Sequence, residues 1–217
     1  MKELGNIYLV WRKGKGNVRI PVGLIKKSAT KGVRFGYIKE GVLKAQQYGF
    51  TCYEGFPDIS KEYSENVLEK FGQRLMKSER TDSGGFYSFW GIRQEFKDDT
   101  YYVLAYSQGL LPTDNFEFLA DFNPQPELIF ISEIAGLSST QLSNDTLQIG
   151  DKLTYKLESS NEYDKNAVSL FKGEKFLGYI KLIHSRVFYK VNKTISIKVH
   201  AIEKNGIIKR VFIKIGE

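Results

Sequence analysis

The last third of the chain is punctuated so closely that it has room only for short antiparallel strands. Residues 152–158 alternate Leu153, Tyr155 and Leu157 with Lys152, Thr154 and Lys156, the period of a half-buried strand. Segments 167–171 and 176–180 follow, joined by the hairpin connection Lys172-Gly173-Glu174-Lys175. Segments 194–202 and 207–215 flank Lys204-Asn205-Gly206, and Asn-Gly supplies the positive φ angles of a two-residue hairpin turn. In that hairpin Ile195, Ile197, Val199 and Ala201 share one face and Ser196, Lys198 and His200 the other, while Arg210, Phe212 and Lys214 line a face of the partner strand. With the apolar run Leu128-Ile129-Phe130-Ile131 as a further strand and one helix at 182–190, the pattern predicts a small Greek-key β-barrel of the OB type.

Two prolines in three residues, within Asp121-Phe122-Asn123-Pro124-Gln125-Pro126, stop regular structure. They divide the chain into an N-terminal domain at 1–122 and a C-terminal domain at 127–217. The N-terminal domain reads as mixed α/β. Segments 7–11, 18–22 and 33–38 are strand-like. Tyr63, Val67, Leu68, Phe71, Leu75 and Met76 form one face of a helix over 61–77, with Ser60 as its N-cap. Shorter helices are expected at 87–95 and 100–107. The fold class is therefore α+β: a mixed α/β domain followed by an OB-like barrel with one helix.

At 217 residues and 41% apolar content the chain is long enough and apolar enough for packed cores. No apolar run reaches the roughly 18 residues of a membrane span. The start, Met1-Lys2-Glu3-Leu4-Gly5, lacks the apolar centre of a signal peptide. The single Cys52 permits no internal disulfide and is read as a small apolar residue, so a cytoplasmic protein is expected. The net charge of +7 is uneven: from Lys165 onward twelve Lys/Arg face only Glu174, Glu203 and Glu217. That excess is either a surface for a polyanion or a solvated lysine-rich face.

No catalytic or metal constellation stands out. Gly14-Lys15-Gly16 lacks the Gly-Lys-Ser/Thr ending of a phosphate loop. Asp98-Asp99 has no companion carboxylate and reads as a solvated loop, His184 and His200 have no ligand spacing, and no serine sits in a nucleophile elbow. The expectation is a protein that is not an enzyme and has no cofactor or metal.

The corner Asn161-Glu162-Tyr163-Asp164-Lys165-Asn166-Ala167 sets an aromatic ring, a carboxylate, a cation and two amides side by side. Such a set can stack on a base and hydrogen-bond a sugar hydroxyl. It can equally be a turn in which Asp164 and Asn166 cap the backbone and Tyr163 packs beneath. The spacing Gly150-Asp151, Asn161 to Val168, then Gly178-Tyr179-Ile180 resembles the HIRAN domain family over about residues 128–205. The resemblance implies a modified OB-like barrel that engages DNA, in particular single-stranded 3′ ends. It further implies that Tyr163 stacks on a terminal base, Asp164 accepts a bond from the 3′ hydroxyl and Lys181 lies near a backbone phosphate. Lys165, Asn166, Tyr179, Lys198 and Lys214 complete the candidate DNA-binding set. Two positions depart from the family pattern: Gly136-Leu137-Ser138-Ser139 stands where the DNA-holding form has an arginine and an aromatic, and Glu162 replaces a proline.

A second resemblance covers the N-terminal part. Residues 50–58, Tyr63, Phe71-Gly72-Gln73-Arg74-Leu75-Met76, Arg80-Thr81-Asp82 and Thr113-Asp114-Asn115-Phe116 are similar to the domain that precedes HIRAN in stand-alone bacterial HIRAN proteins. That domain in turn is similar to the N-terminal subdomain of HipA-type toxin kinases. It implies a lobe that docks on a HipA-like kinase, without the kinase's own catalytic motifs. Two functions follow as expectations: a non-catalytic DNA-binding protein whose first domain docks a protein partner, or a toxin–antitoxin component that regulates such a kinase.

Overall fold

The computed structural model describes residues 3–14, 16–76 and 83–216. The chain divides into two compact units, residues 2–121 and 122–217. Lys15 and the expected motif residues Arg80, Thr81 and Asp82 lie outside the described residues.

The N-terminal unit is built on a sheet of β1 (Leu4–Trp11), β2 (Ile20–Ser28), β3 (Gly32–Tyr37) and β4 (Phe116–Phe122), in the order β3-β2-β1-β4. Among the described residues four α-helices accompany it: α1 (Lys39–Gln46), α2 (Val67–Gly72), α3 (Ser83–Trp90) and α4 (Thr100–Ser107). Phe35 on β3 sits at the centre of an aromatic core, with ring centroids 4.8 Å from Phe56, 5.2 Å from Phe71 and 4.9 Å from Tyr37. Aromatic rings bury large areas, and tilted and edge-on pairs like these add to that burial. Helix α1 crosses β2 at Gly41, where a Cβ would lie 1.8 Å from the carbonyl oxygen of Pro21. Neither α1 nor β4 was expected from the sequence.

The helix expected over 61–77 is shorter, because Asn66 adopts a left-handed conformation (φ 53°) just before Val67. Tyr63 instead pairs with Phe35 as an isolated β-bridge, and its hydroxyl accepts the amide of Asp58 at 2.7 Å. The helix expected at 87–95 starts earlier and stops at Trp90, where Gly91 turns the chain with φ 64°. Helix α4 falls where expected. It is buried on all sides from Tyr101 to Ser107, and Asp99 is its N-cap, accepting from the amides of Tyr101 and Tyr102. Asp99 is thus a helix cap rather than a plain loop residue. Arg74 joins two segments of the second resemblance: it donates to Asp114 Oδ1 and to the Gly109 carbonyl, each at 2.9 Å, while its guanidinium lies over Tyr53 and Phe118.

The C-terminal unit has two three-stranded sheets. One is β5-β10-β9, from β5 (Phe130–Glu133), β9 (Ile197–Asn205) and β10 (Ile207–Ile215); the other is β6-β7-β8, from β6 (Thr154–Glu158), β7 (Ala167–Lys172) and β8 (Lys175–Tyr179). Gly206, at φ 71°, makes the β9–β10 turn that Asn205-Gly206 predicts. The expected closed barrel is not found among the described residues. The sheets are joined by two isolated bridges, Ala135 with Tyr179 and Lys152 with Lys198, where continuous ladders would be needed for closure. The expected helix at 182–190 is a 3₁₀ segment, His184–Tyr189. Leu157, expected inside, is 48% exposed, and Glu158 beside it is half-buried.

Candidate nucleic-acid interface

The corner between β6 and β7 is fixed by its own polar side chains. Asn161 Oδ1 accepts the amides of Tyr163 (3.0 Å) and Asp164 (3.2 Å), and Asn161 Nδ2 donates to Glu158 Oε2 at 3.0 Å. Asp164 Oδ1 accepts the amide of Asn166 at 2.9 Å, and the Asp164 carbonyl accepts the amide of Ala167 at 2.9 Å. Short polar side chains that bond the backbone two or three residues on are what hold such turns. The capping role foreseen for Asp164 is therefore real, while the one foreseen for Asn166 is filled by its backbone amide.

Tyr163 does not pack beneath the turn. Its side chain projects outward, with the residue 96% exposed. Asp164 is half-buried, and among the described residues its Oδ2 has no donor. The corner thus presents a ring with both faces open, beside a carboxylate with one oxygen tied and one available. Lys165 is exposed and Asn166 half-buried.

Tyr179 joins this group through Glu158. Hydrogen bonds from Ser169, Asn161 and Tyr179 hold the Glu158 carboxyl below its ordinary range. Burial first, and then the charge of Glu158, push the Tyr179 phenol up. Tyr189 closes the back of the corner, donating its hydroxyl to the Ala167 carbonyl at 2.8 Å. Burial, with the charges of Asp164 and Glu158, outweighs an opposing backbone bond and raises its phenol also. Glu158 and Tyr189 were missed by the sequence reading; Glu158 continues the polar alternation Lys152, Thr154, Lys156, which was the available signal.

Lys181 is placed differently from expectation. It is 0% exposed, and its Nζ lies 3.3 Å from Glu133 Oε2. An ammonium buried against a carboxylate is held inside the unit and does not face a phosphate, so Lys181 is corrected to an internal ion-pair partner.

Lys198 and Lys214 are directly paired across β9 and β10, and Lys152 is bridged to Lys198 on the other side. Three lysines therefore stand in a row across neighbouring strands. Like charges opposite one another are unfavourable, and among the described residues none of the three has a carboxylate partner. This row lies at the opposite end of the 152–158 run from the corner, roughly 20 Å away at about 3.3 Å per residue. The structure thus gathers Tyr163, Asp164, Lys165, Asn166 and Tyr179 at one place, and Lys198 and Lys214, with Lys152, at another.

The strand that links them is anchored by Asp151, whose Oδ2 accepts Lys172 Nζ at 2.5 Å and the Gln148 amide at 2.8 Å. The bond from Lys172 is the leading cause that holds this carboxyl below its ordinary value. A depressed folded-state pKa contributes stability above the unfolded value, and that contribution disappears as pH falls through the folded value. Lys172→Met is therefore expected to lower the urea midpoint at pH 7. The gap from wild type should close below about pH 4, the ordinary carboxylate range, in a series of urea melts between pH 2 and 8. A gap that persists unchanged at pH 2 would show that Lys172 acts through packing alone.

Among the described residues no cluster of His, Cys, Asp or Glu is arranged to hold a metal ion, and no helix is long and apolar enough to cross a membrane. No curated protein matches the chain. Two solved structures are similar over 40% of it: the HIRAN domain of human HLTF, at 15% identity, 74% of that chain and a TM-score of 0.32, and a protein from Lactobacillus plantarum, at 18% identity, 92% of that chain and a TM-score of 0.30. The family model of the HIRAN domain matches residues 129–208, which hold the corner, Lys152 and Lys198 of the lysine row and the ion pair of Lys181 with Glu133. The chain therefore carries a HIRAN domain at residues 129–208, a module that in general binds DNA.

Proposed function

We propose that this protein is a non-catalytic nucleic-acid-binding protein whose HIRAN domain holds a single-stranded DNA 3′ end at the 161–167 corner. The observation that carries this reading is Tyr163, which is 96% exposed on a turn otherwise tied down by hydrogen bonds. A ring held out by a rigid corner stacks on a base at little ordering cost, and such stacking contributes about 1–3 kcal/mol per base. Asp164 Oδ2 accepts the terminal 3′ hydroxyl, and a phosphate in its place meets a carboxylate. Lys152, Lys198 and Lys214 carry the trailing backbone, since roughly 20 Å is spanned within the 4–16 nucleotides that one OB-type fold covers.

The test is a binding series with a short single-stranded oligonucleotide ending in 3′ hydroxyl or 3′ phosphate. Tyr163→Ala should weaken the hydroxyl form by roughly 5–100-fold, the equivalent of one stacked base. Asp164→Asn keeps the turn acceptor and should remove the preference for hydroxyl over phosphate. Changing the three lysines to glutamine should flatten the dependence of affinity on salt by about two units of slope, at about 0.7 per phosphate for single strands. Equal binding of both oligonucleotides, with all variants neutral, would overturn the end-reading function.

The alternative, docking on a HipA-like kinase in a toxin–antitoxin system, rests on the likeness of residues 50–116 alone. The family match begins at residue 129, and no observation in the N-terminal unit favours a kinase over another partner.

A further inference from the structure

We propose that the N-terminal unit contains a second, separate site: a pocket beside the β2–β3 hairpin that binds a small phosphate-bearing ligand. A cavity of about 250 Å³ opens there, lined among others by Leu24, Lys26, Arg34, Ile59, Lys61 and Glu62. Its charge layout is unusual for a surface at rest. The β2–β3 register sets Lys26 directly opposite Arg34, an arrangement of like charges that works against the hairpin. Lys61 adds a third cation from the segment that bridges to β3 through Tyr63 and Phe35. Glu62 is the one carboxylate in the lining, and it accepts from Arg34 Nη1 at 2.7 Å. Lys26 has no carboxylate partner among the described residues, and Lys61 makes no ion pair there, though after the hydrogen bonds from Ser60 its charge helps to lower the Asp58 carboxyl just outside the lining.

Arg34 supplies the second, independent observation. Its Nε is buried and has no hydrogen-bond acceptor among the described residues. A buried donor left without a partner is costly, more so on a charged group, and in native proteins it calls for an explanation such as a bound ion. An oxyanion answers both features at once. It offers an acceptor to the orphaned Nε–H and separates the like charges of Lys26 and Arg34.

The charge count selects the class of oxyanion. Three cations against Glu62 in the lining, with Asp58 next to Lys61 outside it, leave the site net positive, which suits the charge of about −1.5 to −2 on a phosphate monoester near neutral pH. The volume selects the size: ligand pockets for drug-sized molecules run from about 300 to 1,000 Å³, so this one takes a compact body. Leu24, Ile38 and Ile59 give that body an apolar wall.

The site stands on the N-terminal unit alone and is independent of the DNA-end reading. The test uses the full chain labelled with ¹⁵N, titrated at constant ionic strength with ribose 5-phosphate, inorganic phosphate or sodium chloride, following the Nε–H resonance of Arg34. Both phosphates are expected to move it saturably and chloride is not. Tighter binding of ribose 5-phosphate assigns the site to an organic phosphate, and equal binding assigns it to the free ion. Lys26 and Lys61 are exposed, so Lys26→Met and Lys61→Met should fold normally and each weaken binding roughly tenfold. Glu62→Gln should tighten it. An Arg34 resonance that neither phosphate moves, or unchanged affinity in both lysine variants, would overturn the proposal.

Discussion

Glu133→Gln is expected to destabilise the C-terminal unit by about 3–5 kcal/mol, the usual cost of removing one partner from a buried ion pair. Glu133 serves two cations. Lys181 Nζ approaches Oε2 at 3.3 Å and Arg210 Nε approaches Oε1 at 2.9 Å, with Lys181 wholly buried. Without the carboxylate charge the wholly buried ammonium loses the counter-charge of Glu133. Whole domains are stable by only about 5–15 kcal/mol, so the loss is a large fraction of the total. Both tryptophans, Trp11 and Trp90, lie in the N-terminal unit, so their fluorescence does not report this change. Amide hydrogen exchange of β5, β9 and β10 does. Adding Lys181→Met to Glu133→Gln should recover much of the stability, because the buried ammonium is then gone. A cost below about 1 kcal/mol for Glu133→Gln would place this pair with ordinary surface bridges. Lys181→Met alone should leave the salt dependence of DNA binding unchanged. A drop in slope of about 0.7 would return Lys181 to the phosphate contact that the resemblance implied.

Gly178→Ala should disrupt the unit at a different point. A Cβ at this position would lie 2.4 Å from the Ala135 carbonyl oxygen and 2.8 Å from Ile134 Cγ2, and its φ of 137° is one that side chains rarely adopt. The contact with Ala135 is with backbone, which cannot rotate away. The paired bonds of the Ala135–Tyr179 bridge, at 2.8 and 2.9 Å, must therefore lengthen or break. Strain at such a position costs on the order of 1–3 kcal/mol, and the lost bridge adds to it. At about 4–8 °C per kcal/mol for a domain of this size, the melting temperature should fall by roughly 10 °C or more. Faster hydrogen exchange at Ala135 and Tyr179 would localise the damage. Unchanged protection there would mean that the glycine is dispensable. The bridge also seats Tyr179, so this variant should weaken the corner without touching it.

These two positions mark what the sequence could and could not convey. Gly178 was visible as part of a motif, Gly178-Tyr179-Ile180, but its reason is a close approach to a residue more than forty positions away. Lys181 was visible as a cation in the right place after that motif. Only burial against Glu133 shows that its charge is already committed. Leu157 and Glu158 reverse the simple inside–outside alternation expected of their strand: Leu157 is exposed, while the Glu158 carboxylate is covered by its hydrogen bonds to Asn161, Ser169 and Tyr179. The helix expected over 61–77 followed a sound apolar period, yet Asn66 adopts a left-handed conformation and Tyr63 is drawn into a bridge with Phe35.

What the sequence determined by itself is local: the Asn205-Gly206 hairpin, helix α4, and the polar corner with its own caps. These are fixed by side chains bonding backbone a few residues away, or by turns that only certain residues make. The tertiary structure alone decided which charges are spent and which are free. It buried Lys181, aligned Lys152, Lys198 and Lys214 across two paired strands and an adjoining bridge, and set Lys26 against Arg34 beside a cavity. Cation spacing along a chain says nothing of this, because strand pairing joins residues far apart in sequence, and the energy of a charge depends on its neighbours in space and its access to water.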